Sequence, residues 1–197
     1  HTSNGADYPY TMTLIHTQTD KLGGALGAFL KDTMLPHMFA EMARRGWPTC
    51  PYVNPVKDSP DHGIAEFLET ARFSTGFAAL HHTIGFMPET HMLKPYADRY
   101  ASMRALVEVV LEFTLQHAAQ IQSLRAEARA AAQTKKYWPV TWKADHSRPS
   151  RFLFKGYQAD AKGILHILRS YQMGLCDMDV DKAMAELKIT KAGLIDE

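Results

Sequence analysis

Ten histidines in 197 residues supply ample material for metal or acid–base chemistry, so the first question is which of them the spacing brings together. No histidine starts a His-Glu-x-x-His run, so the helical zinc motif of many metalloproteases is absent. His37 and His62 each have a glutamate four residues on, Glu41 and Glu66; that spacing shares one helix face and reads as a surface pair. His81 and His82 are adjacent and would diverge by about 100° on a helix, too far to grip one metal together. His117 stands on an apolar stripe and reads as a satisfied core histidine, while His16, His146 and His166 have no local partner. Glu89 is different. It ends the apolar run TIGFMPE, directly after Pro88, with His91 two residues on. A carboxylate on a mostly buried strand is expensive to desolvate unless a cation or donor meets it. Two readings stay open: an ion pair with Lys94, Arg99 or Arg72, or a general base at the carboxyl end of a strand, where α/β sheets open to ligands.

The elements that must position these groups are read from periodicity. Tyr8 to Thr17 is rich in β-branched and aromatic residues and alternates Tyr10, Met12 and Leu14 against Thr11, Thr13 and Ile15, which predicts a strand. Leu22 to Arg45 predicts a helix entered or broken at Gly23, Gly24 and Gly27, with Leu30, Met34, Met38 and Met42 at four-residue spacing. Four prolines between Trp47 and Pro60 predict a loop or an irregular strand around Tyr52 and Val53. A short helical turn is expected over His62 to Thr70, a short helix over Thr75 to His82, and a strand over Ile84 to Met92 in which Glu89 and His91 share a face. From Tyr96 to Thr134 the stripe Met103, Val107, Val110, Thr114, His117, Ile121, Leu124 and Ala128 predicts one long amphipathic helix. It would run about 57 Å if unbroken. Strands are expected over Tyr137 to Lys143 and Arg151 to Tyr157, and weakly patterned helix over the last forty residues. The class is α/β.

Composition narrows the function classes. With 22 basic against 21 acidic residues the net charge is +1, which gives no reason to expect nucleic acid or an anionic membrane as partner. No apolar run approaches the length of a membrane span, so no transmembrane segment is expected. Cys50 and Cys176 are far apart and in no ligand spacing, and each reads as an idle thiol.

The opening HTSNGADYPYTMTLI, taken with ETHMLKPYADR, resembles a bacterial branch of the zinc carboxypeptidase family. In that family a histidine followed by Ser or Thr is the third zinc ligand, and a glutamate at the end of a later strand is the general base and acid. The resemblance therefore implies His1 as a metal ligand and Glu89 as the catalytic residue, with zinc as cofactor. ARFSTG, residues 71–76, falls where the family places its substrate-binding loop, which implies Arg72 and Phe73 as substrate contacts; Phe73 or Phe77 stands where a tyrosine usually closes over the substrate. His91 would support Glu89 or pack beside it.

The fold implied is the C-terminal part of a carboxypeptidase-like mixed-sheet α/β/α sandwich, with residues 1–136 in the catalytic domain and residues 137–197 as a trailing strand and helix segment. The first two zinc ligands of the family form a His-x-x-Glu pair ahead of the third, and no histidine here has glutamate at +3. This chain by itself is therefore expected to be inactive, and a metallocarboxypeptidase activity on a peptide or protein substrate is expected of the protein that carries all three ligands. A secreted or periplasmic location follows from the family. A zinc amidohydrolase or deacylase of the same superfamily, and a non-catalytic binding module, are the alternatives.

Overall fold

Four consecutive residues of the first strand, Met12 to Ile15, are buried, which requires a strand covered on both faces rather than one lying on a surface. The computed structural model describes residues 9–52, 54, 56, 63–65, 68–143, 145, 147 and 154–155. Within them β1 (Met12–His16) is the middle strand of a three-stranded mixed sheet in the order β2-β1-β3. β2 (Thr49–Pro51) runs parallel to it, and β3 (Phe86–Thr90) runs antiparallel. The α/β class expected from the sequence holds at this level. Pro51 and Pro88 both sit on the strands flanking β1, where a residue without an N–H is tolerated.

A parallel pair needs a long crossover, and the helical stretch between β1 and β2 supplies it. It comprises α1 (Thr19–Leu22), α2 (Gly24–Phe29), a π-helical turn (Leu30–Met34) and α3 (Leu35–Arg44). Gly23, with φ 63°, breaks α1 from α2, as expected. Gly27 does not break the helix; it lies inside α2, where a Cβ would stand 2.3 Å from the Thr19 carbonyl oxygen. Pro36 follows the wide turn at once. Its ring would crowd the carbonyl of residue 32 and it has no N–H to donate, and a π turn relieves such a conflict without ending the helix. Leu30, Met34, Met38 and Met42 are all buried, so that stripe was legible.

α4 (Ser74–Leu80) and β3 follow, then α5 (Tyr96–Gln116) and α6 (Ala118–Thr134). The single long helix is corrected to two. His117, with φ −110° and ψ 16°, interrupts it, its ring stacked on Phe113 at 4.2 Å and its Nδ1 3.3 Å from the Gln120 side-chain oxygen. The face is corrected in part: Ser102, Ala105, Leu106, Val109 and Phe113 are the buried residues of α5 and Val107 is 48% exposed, while Met103 and Val110 of the expected stripe pack half-buried against the core. Met12 and Leu14 on one face of the sheet meet these residues and the α2–α3 stripe in one core. Ile121, Leu124 and Ala128 of α6 pack against it from the side.

Several expected elements differ. β1 and β3 are shorter than the strands read from periodicity, and β2 begins at Thr49 rather than centring on Tyr52 and Val53. The described residues of the 62–70 stretch are not helical; Val56 N–H donates to the Gly63 carbonyl and Ala65 N–H to the Asn54 carbonyl, a paired loop. Tyr137 to Lys143 is exposed and forms no strand. Of the expected 151–157 strand only 154–155 are described, and the last forty residues, with Cys176 and His166, lie outside the described residues, as do His62, Glu66 and His146.

One polar clamp ties the crossover to α5. Arg45 donates from Nε to Glu41 (3.0 Å) and from its terminal nitrogens to Glu108 (3.1 Å) and Glu112 (2.6 Å). Glu41 pairs with Arg44 and Arg45 rather than with His37, and their hydrogen bonds pull its carboxyl down to about 2. His37 instead lies 4.9 Å from the Phe113 ring. Because these groups are in contact with solvent, Arg45→Met should lower the Tm at low ionic strength, and the difference should shrink in about 1 M salt, where the screening length is ~3 Å. Thermal melts of both proteins at the two salt levels check this.

Candidate active site

The sheet's second face is built differently from the core face. Residues directly opposite each other across neighbouring strands share a face, so the register Thr13↔Glu89, Ile15↔Met87 and Thr13↔Cys50 puts Cys50, Thr13, Glu89, Met87 and Ile15 together, away from Met12 and Leu14. Part of that face is closed by a second small cluster in which Tyr10 and Cys50 meet Ile64 and Phe154. The Lys155 amide donates to the Tyr10 hydroxyl at 2.9 Å. Burial pushes the Cys50 thiol up to about 12, so it is an idle thiol as expected.

Glu89 is 6% exposed and one residue from the end of β3. Burial pushes its carboxyl above the ordinary value, and the nearby Glu69 carboxylate pushes in the same direction. His91 follows, fully buried; its N–H donates to the Thr11 carbonyl at 2.8 Å. β3 ends at Thr90, so His91 holds its place through that main-chain bond just beyond the strand.

Glu69 was not singled out from the sequence, and it is the residue that periodicity could not find, because it lies in a stretch with no regular element. It is 1% exposed. Its oxygens face the amides of Gly76 and Thr75 in the first turn of α4, without closing to ordinary hydrogen-bond geometry. Burial dominates and raises its carboxyl, while those amides and the Lys21 ammonium partly offset the rise. Lys21 also donates to the Glu69 carbonyl. The one local signal was the Thr75-Gly76 pair at a helix start, which offers free amides to an anion.

Two further features hold α4 to the sheet beside Glu89. Ser74 Oγ reaches the Met87 sulfur at 3.5 Å, on the face that carries Glu89. Thr17, just beyond β1, is fully buried; its hydroxyl accepts the Gly85 amide at 2.8 Å and lies 3.3–3.4 Å from the carbonyls of Thr75, Thr83 and Gly85. The turn entering α4 carries the expected substrate contacts. Arg72 and Phe73 are exposed there, Phe73 to 41%, and the Phe73 N–H closes the turn on the Thr70 carbonyl at 3.0 Å. Phe77 is exposed as well, beside the His81 ring at 4.7 Å.

A carboxyl whose pKa is raised by folding binds more protons in the native than in the unfolded state, so its contribution is favourable in acid and is lost as pH rises from the ordinary carboxyl range through the raised value. Glu69→Gln removes that loss. The Tm of the variant minus that of the parent chain should therefore grow between pH 4.5 and pH 8, which paired melts across the range measure; a difference that is flat or falls with pH contradicts it.

His1, the implied metal ligand, and Thr2 lie outside the described residues. Among the described residues no three His, Cys, Asp or Glu side chains come together as a metal site. No helix among them is long and apolar enough to cross a membrane. No protein-family model, curated protein or solved structure matches the chain.

Proposed function

We propose that this chain supplies the general-base strand of a zinc-dependent metallocarboxypeptidase that hydrolyses peptide bonds, on a carboxypeptidase-like mixed-sheet α/β/α sandwich. The observation that carries the reading is Glu89: a buried carboxylate with a raised pKa at the C-terminal end of a strand, on the sheet face turned away from the main core. A carboxylate in that setting is a competent proton acceptor near neutral pH, because burial has brought its basicity closer to that of the group it serves. Glu89 would take a proton from the attacking water and return it to the leaving amine, so that both proton transfers use one oxygen pair. Arg72 and Phe73, on the exposed turn before α4, would meet the peptide.

Zinc enters through the resemblance: His1 and the His-x-x-Glu pair would hold it, and a bound zinc lowers the pKa of its water towards 7. No ligand is assigned among the described residues. The test is release of C-terminal residues from peptides by a polypeptide that combines this chain with the His-x-x-Glu pair. Activity should vanish on chelation and return with zinc. Undiminished peptide release in chelator, or none with zinc bound at unit stoichiometry, rejects the reading.

A further inference from the structure

The net charge of +1 hides an uneven distribution. Between Glu127 and Asp145 the chain carries the cations Arg129, Lys135, Lys136 and Lys143 and no acid. None of these cations forms an ion pair among the described residues. Just past the end of α6 the same stretch reads KKYWPVTWK over residues 135–143. It is exposed throughout, Val140 to 99% and Tyr137 to 86%. We propose that residues 135–143 are a peripheral docking surface for a membrane rich in anionic lipid.

Tyr137, Trp138, Val140 and Trp142 follow one another closely and are all exposed, and a contiguous exposed apolar patch marks a surface that something else covers. No helix or strand includes them, and among the described residues no main-chain hydrogen bond holds 136–143, so the run is free to lie along a surface. Its composition selects the kind of surface. The core of a protein interface is depleted in lysine. A bilayer interface collects Trp and Tyr beside Lys, with amphipathic rings at the headgroup level and ammonium groups among the phosphates. Nucleic acid fits less well, because Val140, the most exposed of the large apolar side chains, has no ring on which a base can stack. Neither apolar insertion nor charge alone gives stable attachment; the two together do. Arg129 and the three lysines supply the charge, worth roughly fivefold in binding each, and the rings with Val140 supply the insertion.

The test adds the full chain to vesicles of phosphatidylcholine alone and of phosphatidylcholine with about 30% phosphatidylserine, followed by co-sedimentation and by tryptophan emission. The anionic vesicles should bind the chain, shift its emission to the blue, and release it in about 1 M salt, where the screening length is ~3 Å. The neutral vesicles should bind at least roughly tenfold more weakly. Lys135→Gln combined with Lys136→Gln should weaken anionic binding roughly twentyfold, whereas Lys135→Arg combined with Lys136→Arg should preserve it. Trp138→Ser combined with Trp142→Ser should abolish attachment and leave the Tm unchanged, since both rings are exposed. Val140→Asp, at a position with no packing to lose, should give the same loss, so that a folding defect in the tryptophan variant cannot imitate it. No binding to anionic vesicles, equal binding to both vesicle types, indifference to the lysine and tryptophan substitutions, or single-stranded oligothymidylate bound more tightly than anionic vesicles overturns the proposal.

Discussion

Glu89→Gln, in a polypeptide that also carries the His-x-x-Glu ligand pair, is expected to lower kcat by about 10²–10⁴-fold, the range for loss of a positioned general base. Gln is isosteric and keeps an acceptor oxygen, so KM should change little and zinc should remain bound. Stability moves the other way. The substitution removes a buried carboxyl that burial disfavours in its charged form, so the variant should be at least as stable as the parent chain at pH 8. That opposition is what a catalytic group produces, since function keeps a charge where packing alone would not. Loss of both turnover and stability would instead mark Glu89 as part of the structure. Single-turnover kinetics, zinc content and melts on the same preparations separate the two.

The largest stability effect is expected at Gly76. A Cβ there would stand 2.1 Å from the Thr70 carbonyl oxygen, 2.7 Å from the Thr70 carbonyl carbon and 3.1 Å from the Glu69 oxygen. All three atoms are main chain, so no flexible side chain can swing aside. Against this, alanine favours helix over glycine by only ~1 kcal/mol. Overpacking costs about 1–3 kcal/mol when neighbours can yield, and a backbone clash of this depth puts Gly76→Ala at about 3 kcal/mol net destabilisation. Urea unfolding with Ser74→Ala as a control at the same helix start checks it. Because the displaced segment leads into Arg72 and Phe73, peptide KM should rise in the variant more than kcat falls.

How far these residues could be read in advance depends on whether a pattern has one solution. The helix through Met34, Met38 and Met42 has one apolar face and polar neighbours, and its burial followed. α5 does not: Leu106, Val107, Val109, Val110, Leu111 and Phe113 are apolar nearly all the way round. Several stripes fit that sequence equally well, and the packing of α3 against α5, not periodicity, selected the face with Leu106 and Val109. The buried strand position of Glu89 was legible because a carboxylate at the end of an apolar run is conspicuous. Glu69 was not, since its burial depends on a loop folding back onto the α4 amides, a long-range event with no local signature. Thr17 escaped for the same reason: a threonine after a strand looks ordinary until three segments converge on its hydroxyl.

The wide π turn before Pro36 has a consequence for helix phase. Leu26, Leu30, Met34, Met38 and Met42 recur at strict intervals of four and are all buried. In an unbroken α-helix each such step creeps about 40° round the axis, so four steps would carry the last side chain about 160° from the first and out into solvent. A turn holding one additional residue takes back about 100° of that drift. The π segment thus acts as a phase corrector, letting a four-residue repeat stay on one side of a helix whose own period is 3.6. Chain length and facial register are decoupled at that point: the turn absorbs one residue and the Pro36 conflict together, while the halves before and after it keep the same side buried.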